Sequence, residues 1–398
     1  MIGKIKNIAI HRIREIKYLY DLRVRSFSIQ TTALLIITLI GAWIINNAYQ
    51  NTAKSNLSLG IGFLAERSGF EIAQGIVPYT GDSSFAMALV LGFSNTLTVA
   101  FFGIILATLI GIVIGTGRLS SNKLVSWICR VYVEIFRNIP PLIVIFFWYQ
   151  AVLSALPLPS ESVVLPFGTF LHNRGISFPT LIMDINAQII LSIFFLGIIL
   201  SIILAKLLRG FHQKTGKIIS TFYTSISLIF GFPLLVWGLT DLPLHFDYPV
   251  LGRFNFAGGF TIGPEFLSLY IALSCYTASF IAEIVRLGII SIPRGQSEAA
   301  MAIGLTSAQA TRLVILPQAM RVIIPPLTSQ YMNLLKNSSL AVAVGFSDLV
   351  STGGTIINQT GHAIEIVLIW MFVYLSLSIT ISLCMNWLNN KFALREKT

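Results

Sequence analysis

Two groups of polar residues lie within long apolar stretches of the chain, where ionisable side chains are costly and tend to mark functional positions. The first group is Tyr276, Ser279 and Glu283, whose spacing of three and four residues places them on one helix face. The second group, in the next apolar stretch, comprises Asn333, Lys336, Asn337, Ser338 and Ser339. A carboxylate that accepts from an ammonium, together with amide, amine and hydroxyl donors, could bind a small zwitterion in a pocket or gate.

Both groups also have a structural interpretation. Arg286 follows Glu283 by about one helical turn, so the two could form an ion pair that only holds a helix bundle together. Asn95 and Thr96, in an earlier apolar stretch, could line the same pocket or could form hydrogen bonds between helices. The sequence leaves these alternatives open.

The apolar stretches are long enough to cross a membrane. The 398 residues are 55% hydrophobic and only 11% charged, which excludes an ordinary soluble domain. A bilayer core requires roughly 20 apolar residues per helix. We therefore predict an all-α integral membrane protein with about eight transmembrane helices. The predicted spans are Phe27–Ala48, Phe85–Gly117, Ile139–Leu156, Ala187–Ala205, Ile218–Leu239, Phe266–Ile290, Val322–Gly345 and Ile366–Trp387.

The net charge of +11 indicates orientation rather than nucleic-acid binding. If the N-terminus is cytoplasmic and the spans alternate, the inner segments carry 22 of the 27 Lys and Arg. We therefore expect both termini in the cytoplasm: a basic segment at 1–26, with a helix lying on the membrane surface, and a tail at 391–398. The three Cys and five His have no metal-ligand spacing, so we expect neither a metal site nor catalytic residues.

Two regions extend the chain beyond its central spans. Residues 49–84 form a predicted outer loop, with an interfacial amphipathic helix over Ile61–Val77. Residues 157–265 are typical of an insertion that carries two spans joined by the basic turn Lys206–Lys217. This turn resembles a phosphate-binding loop only poorly, because both the glycine spacing and the residue after Lys217 are wrong. If ATP drives this protein, another chain hydrolyses it.

A polar segment between two spans, Ser291–Arg321, predicts a helical hairpin on the inner side of the membrane. The first helix is expected from Ser297 to Ile303 and is ended by Gly304, as glycine often does just past a helix. Thr306 and Gln309 have the spacing of a capping box, which would start a second helix that stops near Pro317.

This hairpin carries a family resemblance. Glu298-Ala299-Ala300, then Gly304, then Val314-Ile315-Leu316-Pro317 resemble the EAA loop of ATP-binding-cassette (ABC) importer permeases. The blocks that are similar to polar amino-acid permeases are Ile135–Pro140, Ala282–Arg286, Gln296–Ala300, Leu316–Arg321 and Lys336–Leu340. The added first span and the insertion make the chain similar to the longer general L-amino-acid permeases.

The resemblance implies a permease core of five helices at 85–156 and 266–390, with the coupling loop at 291–321 and an added N-terminal helix at 27–48. Such subunits move L-amino acids, polar or of broad range, across the bacterial inner membrane by alternating access. The residues expected to couple to the ATPase are Glu298, Ala299, Ala300, Gly304 and Leu305.

The same resemblance implies three protein partners. They are a second homologous permease, an ATPase homodimer on the cytoplasmic side that binds ATP and Mg, and a periplasmic amino-acid-binding protein. No cofactor is expected in this chain. The basic turn Lys206–Lys217 has no role in the family pattern, and anionic lipid or the ATPase is its expected contact.

Two other function classes compete with this interpretation. An ion-coupled secondary amino-acid transporter would be expected to show inverted repeats and broken helices in matching halves, and the sequence shows neither clearly. An integral membrane enzyme would need a metal cluster or an acid–base constellation near one interface, and the scattered His give little support for one.

Overall fold

The computed structural model describes residues 22–54, 60–72, 74–182, 184–215, 220–240 and 245–392. The predicted surface helix at the N-terminus and most of the predicted tail lie outside these ranges. Within them the protein is mostly helical, as predicted. Its α-helices are α1 Leu22–Lys54, α2 Phe85–Gly117, α3 Lys123–Asn138, α4 Pro141–Phe146, α5 Ile185–Thr215, α6 Thr221–Ile226, α7 Phe232–Thr240, α8 Pro264–Ile290, α9 Arg294–Ala302, α10 Ser307–Ala310, α11 Leu316–Asn337, α12 Leu349–Thr360 and α13 Ala363–Phe392.

Six helices in the described ranges are long and apolar enough to cross a membrane, and up to eight spans result if each of two bent pairs counts as one. The span predicted at Phe85–Gly117 has the same bounds as α2. The two spans predicted within the insertion correspond to α5 and to α6–α7, which a π-helical turn at Ser227–Gly231 joins. The predicted number of spans therefore agrees with the upper count.

The span predicted at Ile139–Leu156 corresponds to a shorter helical stretch that starts at Pro141 and ends at Leu153. The chain bends by 110° between α3 and the helix that starts at Pro141. Ile139 is extended, with φ −101° and ψ 132°, because a following proline disfavours the helical conformation. After the bend, α4 continues into a π-helical turn at Phe147–Leu153, and the two together are only about 20 Å long.

The prediction that the hairpin's second helix stops near Pro317 is wrong. A π-helical turn at Thr311–Ile315 connects α10 directly to α11, with the Leu316 N–H donating to Thr311 O. The wider turn accommodates the proline ring and its missing N–H, so the helix continues. The seventh span therefore begins at Leu316, and it ends in a 3-10 segment at Ser338–Val344 before a 52° bend into α12.

The centre of the bundle is the contact between α2 and α8. A Cβ atom at Gly111 would lie 2.5 Å from Ile281 Cγ2, and one at Gly115 would lie 2.6 Å from Ala282 O. Only glycine allows this approach, which is how membrane helices pack without a hydrophobic driving force between them. Both α2 and α8 also contact α11, so the three helices share one core.

The loops of the insertion contain β-structure that the sequence did not predict. The strands are β1 Val163–Leu165, β2 Thr169–His172, β3 Gly175–Phe178, β4 Thr180–Leu181, β5 Phe246–Asp247, β6 Val250–Leu251, β7 Phe256–Ala257 and β8 Phe260–Ile262. Four of them pair antiparallel in the order β1-β2-β3-β8, and two further pairs are β4 with β5 and β6 with β7. Strand β8 leads directly into α8, so the sheet joins the bundle without a long linker.

The interfacial helix predicted over Ile61–Val77 is wrong. The chain there makes one 3-10 turn, Gly62–Ala65, and is otherwise irregular in its described part. Gly69 has φ +69°, a left-handed conformation that interrupts a helix.

The chain divides into two compact units, 1–66 with 355–369 and 67–354 with 370–398. In the first unit, Phe63 stacks on His362 with ring centroids 4.2 Å apart, and Gly60 N–H donates to Glu365 Oε1 at 3.3 Å. The second unit contains every site residue predicted from the sequence.

Candidate coupling loop and substrate pathway

The coupling loop turns at Gly304, as predicted. Gly304 has φ +88°, and its N–H donates to Met301 O at 2.9 Å, while Leu305 N–H donates to Ala300 O at 3.2 Å. This pair of hydrogen bonds is a Schellman motif, which satisfies the last carbonyls of α9. The glycine is needed for its backbone conformation alone, since a Cβ atom there would meet nothing within 4 Å.

The predicted capping box is confirmed. Gln309 N–H donates to Thr306 Oγ1 at 3.4 Å, and Thr306 N–H donates to Gln309 Oε1 at 2.9 Å. Helix α9 starts at Arg294, three residues earlier than predicted, directly after Pro293, whose ψ of 137° places it outside the helix as the N-cap residue.

The five residues predicted to couple to an ATPase differ in exposure. Glu298, Ala299 and Gly304 are exposed, and Leu305 is half-buried. Ala300 is only 3% exposed, so its small side chain serves the packing of the hairpin and is not available to a partner. The hairpin also exposes apolar side chains that were not among the predicted coupling residues. They are Met301, Ile303 and Leu313.

Glu283 is held by two arginines. Its carboxylate pairs with Arg118, the residue after α2, and with Arg286 Nη2 at 2.6 Å. The Glu283–Arg286 pair of the structural interpretation therefore forms, and Arg118 adds a second partner. Sequence reasoning missed Arg118 as a partner because the contact between α2 and α8 was not visible in the sequence; the only signal was a cation at the predicted end of a span.

The other two members of the first group make contacts within their own helix. Ser279 is fully buried, and its hydroxyl donates to Tyr276 O on its own helix at 2.6 Å. The Tyr276 ring packs against Phe280 with centroids 5.1 Å apart.

The second polar group is not a closed pocket in this chain. Asn333 and Lys336 are exposed, and Asn337 is half-buried. The hydroxyls of Ser338 and Ser339 donate to the carbonyls of Leu335 and Lys336 at 2.7 and 2.8 Å, so the backbone uses them.

The chain does not bring Glu283 to the second polar group. A Cβ atom at Gly103 would lie 3.2 Å from Leu334 and 3.8 Å from Ser274, so Leu334, next to Asn333, lies at the level of Ser274 on α8. Glu283 lies about 14 Å further along that helix, whereas Tyr276 is only about 3 Å from Ser274 along it.

Asn95 and Thr96 tie α2 to other segments: the bonds of Asn95 reach two loop residues, and the bond of Thr96 reaches the first residue of α12. Asn95 Nδ2 donates to Gln74 O at 3.0 Å and to Ser347 O at 2.8 Å. Thr96 is fully buried, and its hydroxyl accepts from Leu349 N–H at 3.1 Å. Asn95 also lines a cavity beside α8.

A buried polar cluster around Asp348 was not anticipated. Asp348 is fully buried; its Oδ1 accepts from Ser351 N–H at 2.8 Å, whereas its Oδ2 has no partner in the described part of the chain. The hydroxyls of Thr352 and Tyr374 are likewise unpaired among these residues. The sequence signal that could have revealed this cluster is the single acidic residue, Asp348, within an apolar stretch. In the described ranges, no three His, Cys, Asp or Glu side chains are placed to hold a metal ion.

Comparison with known proteins decides the family. The family model "Binding-protein-dependent transport system inner membrane component" matches residues 197–396. The general L-amino acid transport system permease protein AapQ of Rhizobium johnstonii is 55% identical over 95% of this chain and 95% of its own length. The chain belongs to this family. It is thus an inner-membrane component of an ABC transporter, and a permease subunit rather than a catalytic one.

Two further permeases match over almost the whole chain. The putative amino-acid ABC transporter permease protein YhdX of Escherichia coli is 43% identical over 94% of this chain and 95% of its own length. The glutamate/glutamine/aspartate/asparagine transport system permease protein BztB of Rhodobacter capsulatus is 40% identical over 95% and 96%. The full-length matches include residues 157–265, so the insertion is a shared part of these long permeases. Nothing in the comparisons supports an ion-coupled transporter.

Proposed function

We propose that this chain is the membrane-spanning subunit of an ABC importer for L-amino acids, of polar or broad range. The identity of 55% to an L-amino-acid permease over nearly all of both chains carries the proposal. The exposed hairpin with its glycine turn is the contact for an ATPase. Substrate then crosses by alternating access, and ATP and Mg are bound by the partner ATPase, with no cofactor in this chain.

The proposed assembly has four kinds of protein component. This chain pairs with a second, homologous permease. An ATPase homodimer docks on the two coupling loops at the cytoplasmic side. An amino-acid-binding protein delivers substrate from the periplasm, and both termini of this chain lie in the cytoplasm, in agreement with the excess of Lys and Arg in the inner segments.

The substrate pathway is proposed to run between the two permeases. Asn333 and Lys336 face away from the core of this chain, so a facing subunit can complete a pocket with them. Asn337 and Ser339 follow as half-buried residues, and Ser338 between them is fully buried. Glu283 acts as a positioning residue near the inner end of α8 and does not contact substrate.

Purification in mild detergent followed by reconstitution tests the proposal. We expect an ATPase and a second permease to co-purify with the tagged chain. In vesicles that contain ATP, labelled L-amino acids should accumulate only when a binding protein is added, and accumulation should survive ionophores that collapse ion gradients. Uptake that continues without ATP but stops with the ionophore would overturn it.

A further inference from the structure

A cavity of about 400 Å³ lies beside the first turns of α8. Its walls come from five parts of the chain: α8 itself, the segment 74–76, the middle of α2, strand β8 of the insertion, and Phe346. The insertion has no role in the proposed mechanism so far, and here it supplies one wall. This volume is in the range of small-molecule sites.

One edge of the cavity is polar and firmly held. Gln74 Nε2 donates to Glu265 Oε2 at 2.9 Å, and Tyr149 OH donates to the other oxygen of Glu265 at 3.4 Å. The Gln74 amide lies directly over Gly263, where any Cβ atom would overlap it. Asn95 Nδ2 bonds the carbonyls of Gln74 and Ser347, so the amide groups of both lining residues are fixed in place.

The atoms left over at this edge are acceptors. Asn95 Nδ2 uses both of its N–H atoms on backbone carbonyls and Gln74 Nε2 uses one of its two on Glu265, while Gln74 Oε1 and Asn95 Oδ1 receive no hydrogen bond from the described residues. The carboxylate of Glu265 stands directly behind Gln74. None of the residues that line the cavity is Lys, Arg or His. An edge of acceptors beside a negative charge fits a ligand that brings N–H donors and a positive charge.

The remaining walls are aromatic and apolar. Phe266 stacks on Tyr270 with ring centroids 5.9 Å apart and meets Phe346 at 5.7 Å. Ring faces attract an ammonium group when water is excluded, and they also bury an apolar side chain.

We propose that this cavity binds an L-amino acid with an apolar side chain, with the ammonium at Gln74 and Asn95 and the side chain against the aromatic wall. The inference rests on the proposed function for its choice of amino acids as cargo. The carboxylate points toward the open side of the cavity, because no cation lies inside it. A lipid acyl chain would also fit the apolar wall, but it would leave the acceptors at the polar edge unused.

Protection of an introduced thiol tests the ammonium contact directly. Thr98 lines the cavity, so Thr98→Cys is placed in a chain with Cys129→Ala, Cys275→Ala and Cys384→Ala, in the assembled complex in lipid nanodiscs. A water-soluble methanethiosulfonate reagent is added with L-leucine, L-leucinamide, which keeps the ammonium but has no free carboxylate, or N-acetyl-L-leucine, which has no ammonium. Ser160→Cys, exposed on the insertion and outside the cavity, is the matched control.

We expect L-leucine and L-leucinamide to slow labelling of Thr98→Cys, by about tenfold at ten times the dissociation constant. N-acetyl-L-leucine should have no effect, and labelling of Ser160→Cys should not change with any of the three. Gln74→Leu should abolish the protection, whereas Gln150→Leu, at an exposed position outside the cavity, should preserve it.

Three results would overturn the proposal. They are equal protection by all three compounds or by none, labelling that depends on the lipid but not on the amino acids, and no labelling of Thr98→Cys while Ser160→Cys reacts. Uptake in vesicles is measured separately with the unmodified complex. If ATP-driven uptake is observed without the protection pattern, only the proposed ligand site in the cavity is rejected. If the protection pattern is observed without ATP-driven uptake, the proposed importer function is rejected.

Discussion

At the scale of single residues, Glu283 shows how a charge inside a membrane protein can be structural. Its carboxylate lies between Arg118 and Arg286 and is mostly buried, so neither arginine is left without a counter-ion. Removing one member of a buried ion-pair cluster destabilises the fold by more than the intact cluster stabilises it, because the remaining charges stay buried without a counter-ion.

Glu283→Gln should therefore lower the stability of the complex more than it lowers substrate affinity. We expect a loss of about 1–3 kcal/mol, typical of a hydrogen bond to a charged group, measured by thermal unfolding of the detergent-solubilised complex. Glu161→Gln, at an exposed position on the insertion, is the control and should unfold as the unmodified complex does. An unchanged melting temperature together with lost uptake would return Glu283 to the substrate pathway.

Asp348 gives a second test at this scale. Its Oδ1 caps α12 through Ser351 N–H, while its Oδ2 is buried without a partner in the described residues. Asp348→Asn keeps a capping oxygen and removes the charge, so we expect equal or higher stability. Asp348→Ala loses the cap and should cost about 1 kcal/mol. Thermal unfolding of both variants measures the difference, and a more stable Ala variant would show that the cap does not matter.

At the scale of elements, the coupling hairpin depends on one backbone conformation. Gly304 has φ +88° and open space around it, so substitutions there act through strain and not through a clash. Gly304→Val should cost about 1–2 kcal/mol locally and distort the turn, since β-branched residues avoid this region.

In the Gly304→Val variant we expect ATP hydrolysis to continue while amino-acid import is lost. The ratio of ATP consumed to substrate accumulated in vesicles should therefore increase. Gly304→Asn is the matched control, because asparagine tolerates the left-handed region, and it should keep most of the coupling. Normal coupling in the Val variant would contradict the docking role of the turn.

The β-sheet of the insertion should respond to pH through His172. This side chain is buried; its Nδ1 accepts from Arg174 N–H at 3.2 Å, and its Nε2 lies 3.0 Å from Ser177 Oγ. Burial, and then the charge of Arg174, lower the pKa of His172 below its ordinary value, so the folded sheet favours the neutral ring.

Below the ordinary histidine pKa of about 6.5, His172 takes up a proton in the unfolded insertion but not in the folded sheet. The folded sheet therefore becomes less stable as the pH is lowered, and its folding equilibrium constant decreases by at most about tenfold for each pH unit. Hydrogen-exchange protection factors for β2 and β3, which correct for intrinsic rates, should therefore decrease from pH 7.5 to pH 5.5. His172→Gln should remove this dependence. Protection that rises on acidification would show that His172 gains a proton on folding.

The sequence predicted elements where a periodic pattern or a local motif decides the structure. The bounds of α2, the glycine turn and the Thr306–Gln309 capping box depend on neighbours within a few residues, and all three agree with the structure. Long-range contacts were not predictable in this way. The Arg118–Glu283 pair and the β1-β2-β3-β8 sheet join distant segments, and the sheet's short strands carry no clear alternation.

At the scale of the whole molecule, the arrangement of Lys and Arg predicts one orientation in the membrane. A thiol introduced as Glu298→Cys should react with an impermeant reagent only in inverted vesicles, and Ser160→Cys only in intact, outer-membrane-permeabilised cells, in a chain without native cysteines. Labelling of Glu298→Cys from the periplasmic side would contradict both the orientation and the coupling role.

The uninterrupted path from α10 through the π-helical turn into α11 has a mechanical consequence. From Ser307 to Asn337 the chain follows one helical path of about 46 Å, which starts three residues after Gly304 and contains Pro325 and Pro326 in α11. A tilt of about 10° imposed at the start of this path displaces its far end by about 8 Å when the path turns as one body. A small push on the hairpin would thus be amplified at the 338–344 segment.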